Sequence, residues 1–358
     1  MAKRRVAVGL SGGVDSSVAA LLLARAGHEV VGVTMMIYSG TRPGVPGVDS
    51  CYSPGEEADV RYAESVCRTL GIPYHTVDLK SEFRRWVLDY ARSEYLAGRT
   101  PNPCVRCNQM VKFGLLVDRL SRLPGVDFDA FATGHYCQVF RDPETARFGL
   151  RKAIDPQKDQ SYFLSLLSQE QLSRVMFPLG SLTKSEVRRI AREAGLATHD
   201  RPESQDFAAG GYREVLEARE KEGPIKDPDG NRIGSHRGIW GYTIGQRKGL
   251  GVGGGEPLYV TRIDAGTNTI IAGPESDLYR SRLLVRSVNW VSRAQPEEPT
   301  RVGARIRYRN PEAPAVVTPR SDGRVSVEFD EPQRAVALGQ IAAFYDGDIL
   351  LGGGTIDE

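Results

Sequence analysis

The chain has 358 residues, 40% of them hydrophobic and 26% charged, with a formal net charge of +2. That length exceeds one ordinary domain, and the apolar content suits real cores while excluding a disordered or fibrous class. No run approaches the ~20 apolar residues of a membrane span, five cysteines argue against a disulfide framework, and a charge so near zero does not announce a polyanionic partner.

In chain order, RRVAVGL (4–10) is a short apolar run ending in glycines, the pattern of a buried strand. Its basic-then-apolar start resembles a signal peptide only faintly, since glycines and Asp15 interrupt it; a cytoplasmic protein is expected. DSSVAALLLARAG follows with helical spacing and stops at Gly27. A second apolar run, EVVGVTMMIY, precedes a loop rich in Gly, Pro and Ser over 39–55. The spacing predicts a helix over 56–70, with Ala63, Val66, Cys67 and Leu70 on one face, then a strand in IPYHTVDL. A helical segment at about 81–97, a Pro-Asn loop and a helix over 109–123 lead to the strand DAFATGHY. Strands alternating with helices imply βαβ units and a Rossmann-like parallel sheet. Two more helical patterns, QEQLSRVM and SEVRRIAREAG, lie within 161–197. From about 207 the chain turns glycine-rich, and from about 281 alternating runs such as RVGARIRYR and RVSVEFD suggest a small antiparallel barrel. The expected division is 1–206, a nucleotide-binding α/β domain; 207–278, a small central domain; and 279–358, a β-barrel. Eight arginines stand against two acids between Tyr279 and Arg309, which makes the barrel a candidate phosphate-binding face or an ordinary charged surface.

The strongest chemical signal is GLSGGVDSS, residues 9–17, between the first strand and the first helix. Gly12 and Gly13 let backbone N–H groups turn inward, Ser11, Ser16 and Ser17 add hydroxyls, and the helix start supplies a favourable dipole. Such a loop holds an anion of pyrophosphate size. Asp15 fits it only with Mg²⁺ between carboxylate and phosphates. No Gly-Lys-Ser/Thr follows, and there is no G-x-G-x-x-G, so it is neither a Walker loop nor a dinucleotide loop.

SGGVDS resembles the signature of the ATP pyrophosphatase (PP-loop) superfamily. TPNPCVRCN (100–108), TGHY (133–136), KDQSYFL (158–164), FPLGSLTKSEVR (177–188), PESQDF (202–207) and GYTIGQRKGLG (241–251) follow in order. Together they resemble the tRNA-specific 2-thiouridylase family over essentially the whole chain. The resemblance implies an enzyme that adenylates O2 of the wobble uridine (position 34) of certain tRNAs and replaces that oxygen with sulfur. It implies ATP held by Gly9, Leu10, Ser11, Gly12, Gly13, Val14, Asp15 and Ser16, with Met35 and Gly134 beside it. It also implies tRNA contacts from Asn102, Pro103, Cys104, His135, Lys158, Asp159 and Gln160, and from Arg307, Tyr308 and Gln340 on the barrel. From the residues alone, His135 could equally be a packed side chain, and Lys158–Asp159 a surface ion pair.

The chain departs from the family's pattern in its cysteines. Cys107 matches the usual loop cysteine, Cys104 stands where an aspartate is usual, and Ala208 stands where a second cysteine would follow Ser-Gln-Asp. The usual two-cysteine persulfide relay is therefore in doubt. Cys67 and Cys137 sit on apolar patterns and read as core residues; Cys51, in a loop beyond the second strand, falls at the nucleotide edge of the sheet. Three thiols, Cys51, Cys104 and Cys107, are expected to hold an iron–sulfur cluster of the [4Fe–4S] type, with one iron open for hydrosulfide. Zinc completed by His135, and a plain Cys-x-x-Cys dithiol, are the competing readings; the Pro-Asn context argues against the latter by lacking the helix-start setting of redox pairs. The sulfur donor would be hydrosulfide or a cysteine desulfurase product. A PP-loop ligase for a small molecule and an RNA-binding module with a decayed site are the other function classes.

Overall fold

The computed structural model describes residues 3–40, 50–202, 206–208, 219–253 and 256–358. Strands are numbered in chain order. β1 (Arg5–Gly9), β2 (Glu29–Met36), β4 (Tyr74–Asp78), β5 (Ala130–Thr133) and β8 (Val175–Met176) form a parallel sheet in the order β4-β2-β1-β5-β8. β1 and β5 are almost wholly buried, which is why they read as continuous apolar runs. Helices α1 (Val14–Arg25) and α2 (Glu56–Leu70) pack on this sheet. Because β2 and β5 flank β1 on opposite sides, the strand order reverses beside β1, and open α/β sheets bind ligands at such a point, beyond the carboxyl ends of the strands.

The expected three-part architecture is present. β10 (Gly223–Lys226), β11 (Arg232–His236), β12 (Tyr259–Asp264) and β13 (Thr269–Gly273) make a four-stranded sheet around Ile225, Val260 and Ile270. β14 (Tyr279–Trp290), β15 (Thr300–Arg305), β16 (Ala313–Pro319), β17 (Val325–Arg334), β18 (Ile341–Asp346) and β19 (Ile349–Ile356) close into a barrel, since β14 pairs with both β17 and β19. The hairpin β6 (Gln138–Arg141) and β7 (Phe148–Arg151) leaves the parallel-sheet domain and joins β19, extending the barrel sheet. This joint gives the two domains one continuous apolar cluster, in which Leu150 and Tyr345 lie with Phe83 and Phe131.

Local expectations need four corrections. The helix in QEQLSRVM stops at Ser173, and Val175–Met176 is the edge strand β8. The loop at 39–55 contains β3 (Ser50–Tyr52), paired in parallel with β9 (Asp206–Ala208). The helix placed at 109–123 begins at Pro103, runs through a wide π stretch over Cys107–Leu115, and ends at Leu120. The Pro-Asn loop is therefore the start of that helix, with Pro at its first position, where a missing N–H costs nothing. No helix among the described residues is long and apolar enough to cross a membrane.

Candidate active site

A cleft of about 280 Å³ opens at the carboxyl ends of β1, β2 and β5. Its floor is the loop from Gly9 to Ser16. Gly12 takes the left-handed conformation (φ 72°), and a Cβ there would lie 2.6 Å from the Asp59 carbonyl oxygen, so only glycine fits. The loop is braced from inside: Ser11 N–H donates to Ser16 Oγ at 3.2 Å, and Ser17 Oγ–H donates to the Gly13 carbonyl at 2.8 Å. No side chain caps α1, which starts at Val14, so its first N–H groups and its dipole serve the cleft. Met35 and Val33 of β2 form one wall, Thr133, Gly134 and His135 the other. Gly134 is pressed against the loop, where a Cβ would meet Ser16 N at 2.6 Å. Of the eight loop residues all but Gly12 line the cleft, together with Met35 and Gly134.

Asp15 borders the cleft with a partner that the sequence did not reveal. Lys184, at the start of the Lys184–Glu193 helix, places Nζ 2.7 and 2.8 Å from the two carboxylate oxygens, and Tyr136 donates its hydroxyl to Oδ1 at 2.8 Å. The Asp15 side chain is 30% exposed and Lys184 12%, so the lysine stands behind the carboxylate. Arg201 and Lys112 line the cleft directly. Both were missed because they lie far from the loop in sequence and carry no local motif.

The thiols occupy the neighbouring wall. Cys51 is exposed and lines the cleft. Enclosure by the cleft walls nonetheless raises its thiol above the ordinary value, with Lys112 opposing and Asp59 reinforcing. Cys107 is buried, and burial pushes it up to about 11, with Lys112 opposing and Cys51 reinforcing. Lys112 thus acts on both thiols, and Cys51 on Cys107. Cys104 and Cys107 are three residues apart on one helical run, which brings their side chains to one face. Ala208, the position where a second cysteine was expected, pairs with Tyr52, next to Cys51 in the same strand pair. Cys67 and Cys137 are fully buried in the core, as read from their patterns. Among the described residues, no group of three or more His, Cys, Asp and Glu is drawn together as a metal site. The His135 ring packs with Phe113 and Phe177, its Nδ1 is 2.7 Å from Thr133 Oγ1, and burial lowers its pKa well below the usual value. Contrary to expectation, Cys104 lies in the first turn of a helix, the setting of redox pairs, so a dithiol is not disfavoured on that ground.

The RNA-facing expectations divide. Asn102 caps the Cys104 helix by accepting from Val105 N–H at 3.2 Å, and Pro103 is buried beside it. Gln160 lines the cleft while its Oε1 accepts from Tyr136 N–H at 3.0 Å. Lys158 is half-buried in the same turn. Asp159 is not a surface ion-pair member. It is 4% exposed, accepts from Ala153 N–H, Ser161 N–H and Ser161 Oγ–H, and pairs with Arg305 at 3.4 Å. Arg305 also holds Glu312 at 2.8 Å. Arg307 donates to the carbonyls of Ile244 and Ala335, tying the barrel to the central sheet. Tyr308 packs on Phe163, ring centroids 4.3 Å apart. Gln340 donates to the Thr100 and Pro101 carbonyls, bracing the chain that enters the cysteine helix. Arg305 and Arg307 therefore point inward, so the arginine count overstates the phosphate-binding face.

Comparison with known proteins follows the same three parts. Residues 4–208 match the tRNA methyl transferase HUP domain, 214–274 the tRNA methyl transferase PRC-barrel domain, and 280–356 the aminomethyltransferase beta-barrel domain. A protein of Acetivibrio thermocellus named tRNA-specific 2-thiouridylase MnmA is 45% identical over 99% of this chain and 100% of its own length. A protein of the same name from Chloroflexus aurantiacus is 46% identical over 98% of each.

Proposed function

The chain belongs to the tRNA-specific 2-thiouridylase family, and we infer from its cleft how it performs an ATP-dependent tRNA-uridine 2-sulfurtransferase reaction. The observation that carries the reading is one cleft with an uncapped helix start behind a Gly-Gly loop on its floor and a thiol-bearing wall beside it. The loop from Gly9 to Ser16 and the α1 dipole hold the triphosphate, and Met35 and Gly134 flank the nucleotide. O2 of the wobble uridine attacks the α-phosphorus, the α–β phosphoanhydride bond breaks, and pyrophosphate leaves. Sulfide then adds at C2, and AMP departs with the original oxygen. Half-buried His135, held neutral, stands beside the base without adding charge. Asp15 is the carboxylate that would hold Mg²⁺, a hard cation suited to oxygen ligands, which supplies neutralising charge for the pyrophosphate.

Cys51, Cys104 and Cys107 would hold the [4Fe–4S] cluster. The donor chemistry suits such a cluster, being three thiols, but among the described residues these side chains are not drawn together as a metal site, so they must close up to hold it. When bound, such a cluster supplies an open iron for hydrosulfide. Burial outweighs Lys112 at Cys107 and raises its thiol to about 11, which leaves it protonated at neutral pH and a poor nucleophile. Asn102, Pro103, Cys104, His135, Lys158 and Gln160 form the wobble-base side, with Tyr308 on the barrel. Asp159, Arg307 and Gln340 shape that side from within. The protein works in the cytoplasm, where tRNA and reduced thiols are found together.

Pyrophosphate release tests the reading. It should require both ATP and a wobble-uridine tRNA. Release with ATP and a small acceptor alone would favour a small-molecule ligase instead.

A further inference from the structure

The phosphate loop has no cation of its own: the only charged residue from Gly9 to Ser17 is Asp15. A helix start contributes roughly half a positive charge, so the loop by itself offsets little of a departing pyrophosphate's charge. Among the described residues, three cations stand near the loop. Lys184 is committed to both oxygens of Asp15 and sits behind them. Lys112 stands at the thiol end of the cleft, where its charge acts on Cys51, Cys107 and His135. Arg201 is placed differently. It lines the cleft, and its Nη1 donates to the Gly12 carbonyl at 2.9 Å, at the turn of the loop itself. Its Nη2 pairs with Asp59 on α2, and the Tyr62 ring lies 4.6 Å from the guanidinium carbon. These contacts use two of the five N–H groups of a guanidinium, whose fork suits phosphate oxygens.

We propose that Arg201 grips the β- and γ-phosphates of ATP and then the pyrophosphate that they become, with Asp59 as the counter-ion that holds it ready between turnovers. The inference rests on the adenylation reading and assigns a cationic side chain to the pyrophosphate, beside the Mg²⁺ of that reading. Arg201 takes the place of a Walker lysine, delivered from the far end of the domain rather than from the loop.

The test is inhibition of the tRNA-dependent reaction by inorganic pyrophosphate, competed against ATP, in wild type, Arg201→Met, Arg201→Lys and Asp59→Asn. Arg201→Met should raise both the pyrophosphate inhibition constant and KM for ATP at least tenfold while leaving tRNA affinity unchanged, and Arg201→Lys should recover part of the loss. Asp59→Asn removes the competing anion and should tighten pyrophosphate several-fold. A merely structural pair would instead weaken binding in both variants. A pyrophosphate constant unchanged in Arg201→Met, or weakened in Asp59→Asn, would overturn the assignment. Wild-type enzyme that releases no pyrophosphate with tRNA would overturn the adenylation reading itself.

Discussion

Replacing Gly134 with alanine should disable nucleotide binding while leaving the domain folded. A Cβ at this position would lie 2.6 Å from Ser16 N, 2.7 Å from the Asp15 carbonyl carbon and 3.0 Å from Asp15 Cβ. Carbon contacts settle near 3.5 Å, so the loop must retreat by about 1 Å. Two of the three opposing atoms are backbone, so no side-chain rotation can relieve the clash. Overpacking of this kind costs about 1–3 kcal/mol, and here the strain falls on the loop that holds the phosphates. At 1.4 kcal/mol per factor of ten, ATP affinity should drop roughly 5- to 150-fold. The assay is ATP titration by calorimetry, with Gly241→Ala, where nothing stands within 4 Å of the new methyl, as the neutral control. A folded Gly134→Ala protein with wild-type ATP affinity would refute the placement of the β5 turn against the phosphate loop.

Arg305→Met should destabilise the protein by about 3 kcal/mol in urea, the low end for breaking a buried pair, because Lys152 stays with Glu312 and Ser161 with Asp159. The same variant should keep the salt dependence of tRNA binding, whereas neutralising exposed Arg309 should reduce the slope by about 0.7–0.9 if it meets a phosphate. His135 and His236 both have pKa values lowered by burial, so below pH ~6.5 the unfolded chain takes up protons that the folded one refuses, and stability should fall as pH drops. His135→Gln should flatten that fall in urea titrations at pH 7.5 and 5.5. Protein purified without oxygen should be brown and contain iron, and Cys51→Ser should bleach it as fully as Cys104→Ser or Cys107→Ser; a colourless wild type still forming 2-thiouridine would remove the cluster.

The phosphate loop was legible because its chemistry is local: consecutive residues between a strand and a helix supply the turn, the donors and the dipole. Cys51 was legible from its position beyond β2, although β3 and its pairing with β9 were not, since a three-residue strand leaves no periodic signal. Lys184 and Arg201 could not be read, because 169 and 189 residues separate them from the loop atoms that they bond. The barrel arginines misled for a related reason. An alternating strand sends side chains to both faces, and composition does not reveal that Arg305 and Arg307 face buried acids and carbonyls. The Pro-Asn segment read as a loop because proline usually ends a helix, yet at the first position of one it begins it.

The central claim is that one cleft activates the wobble uridine with ATP and delivers sulfur to its C2. The most direct measurement is nucleoside mass spectrometry of an unmodified wobble-uridine tRNA incubated anaerobically with the enzyme, Mg-ATP and sulfide. The account predicts one 2-thiouridine per tRNA, at the wobble position, with one pyrophosphate and one AMP for each and none without ATP. Unmodified tRNA with pyrophosphate released regardless of RNA, or sulfur at another position, would contradict it.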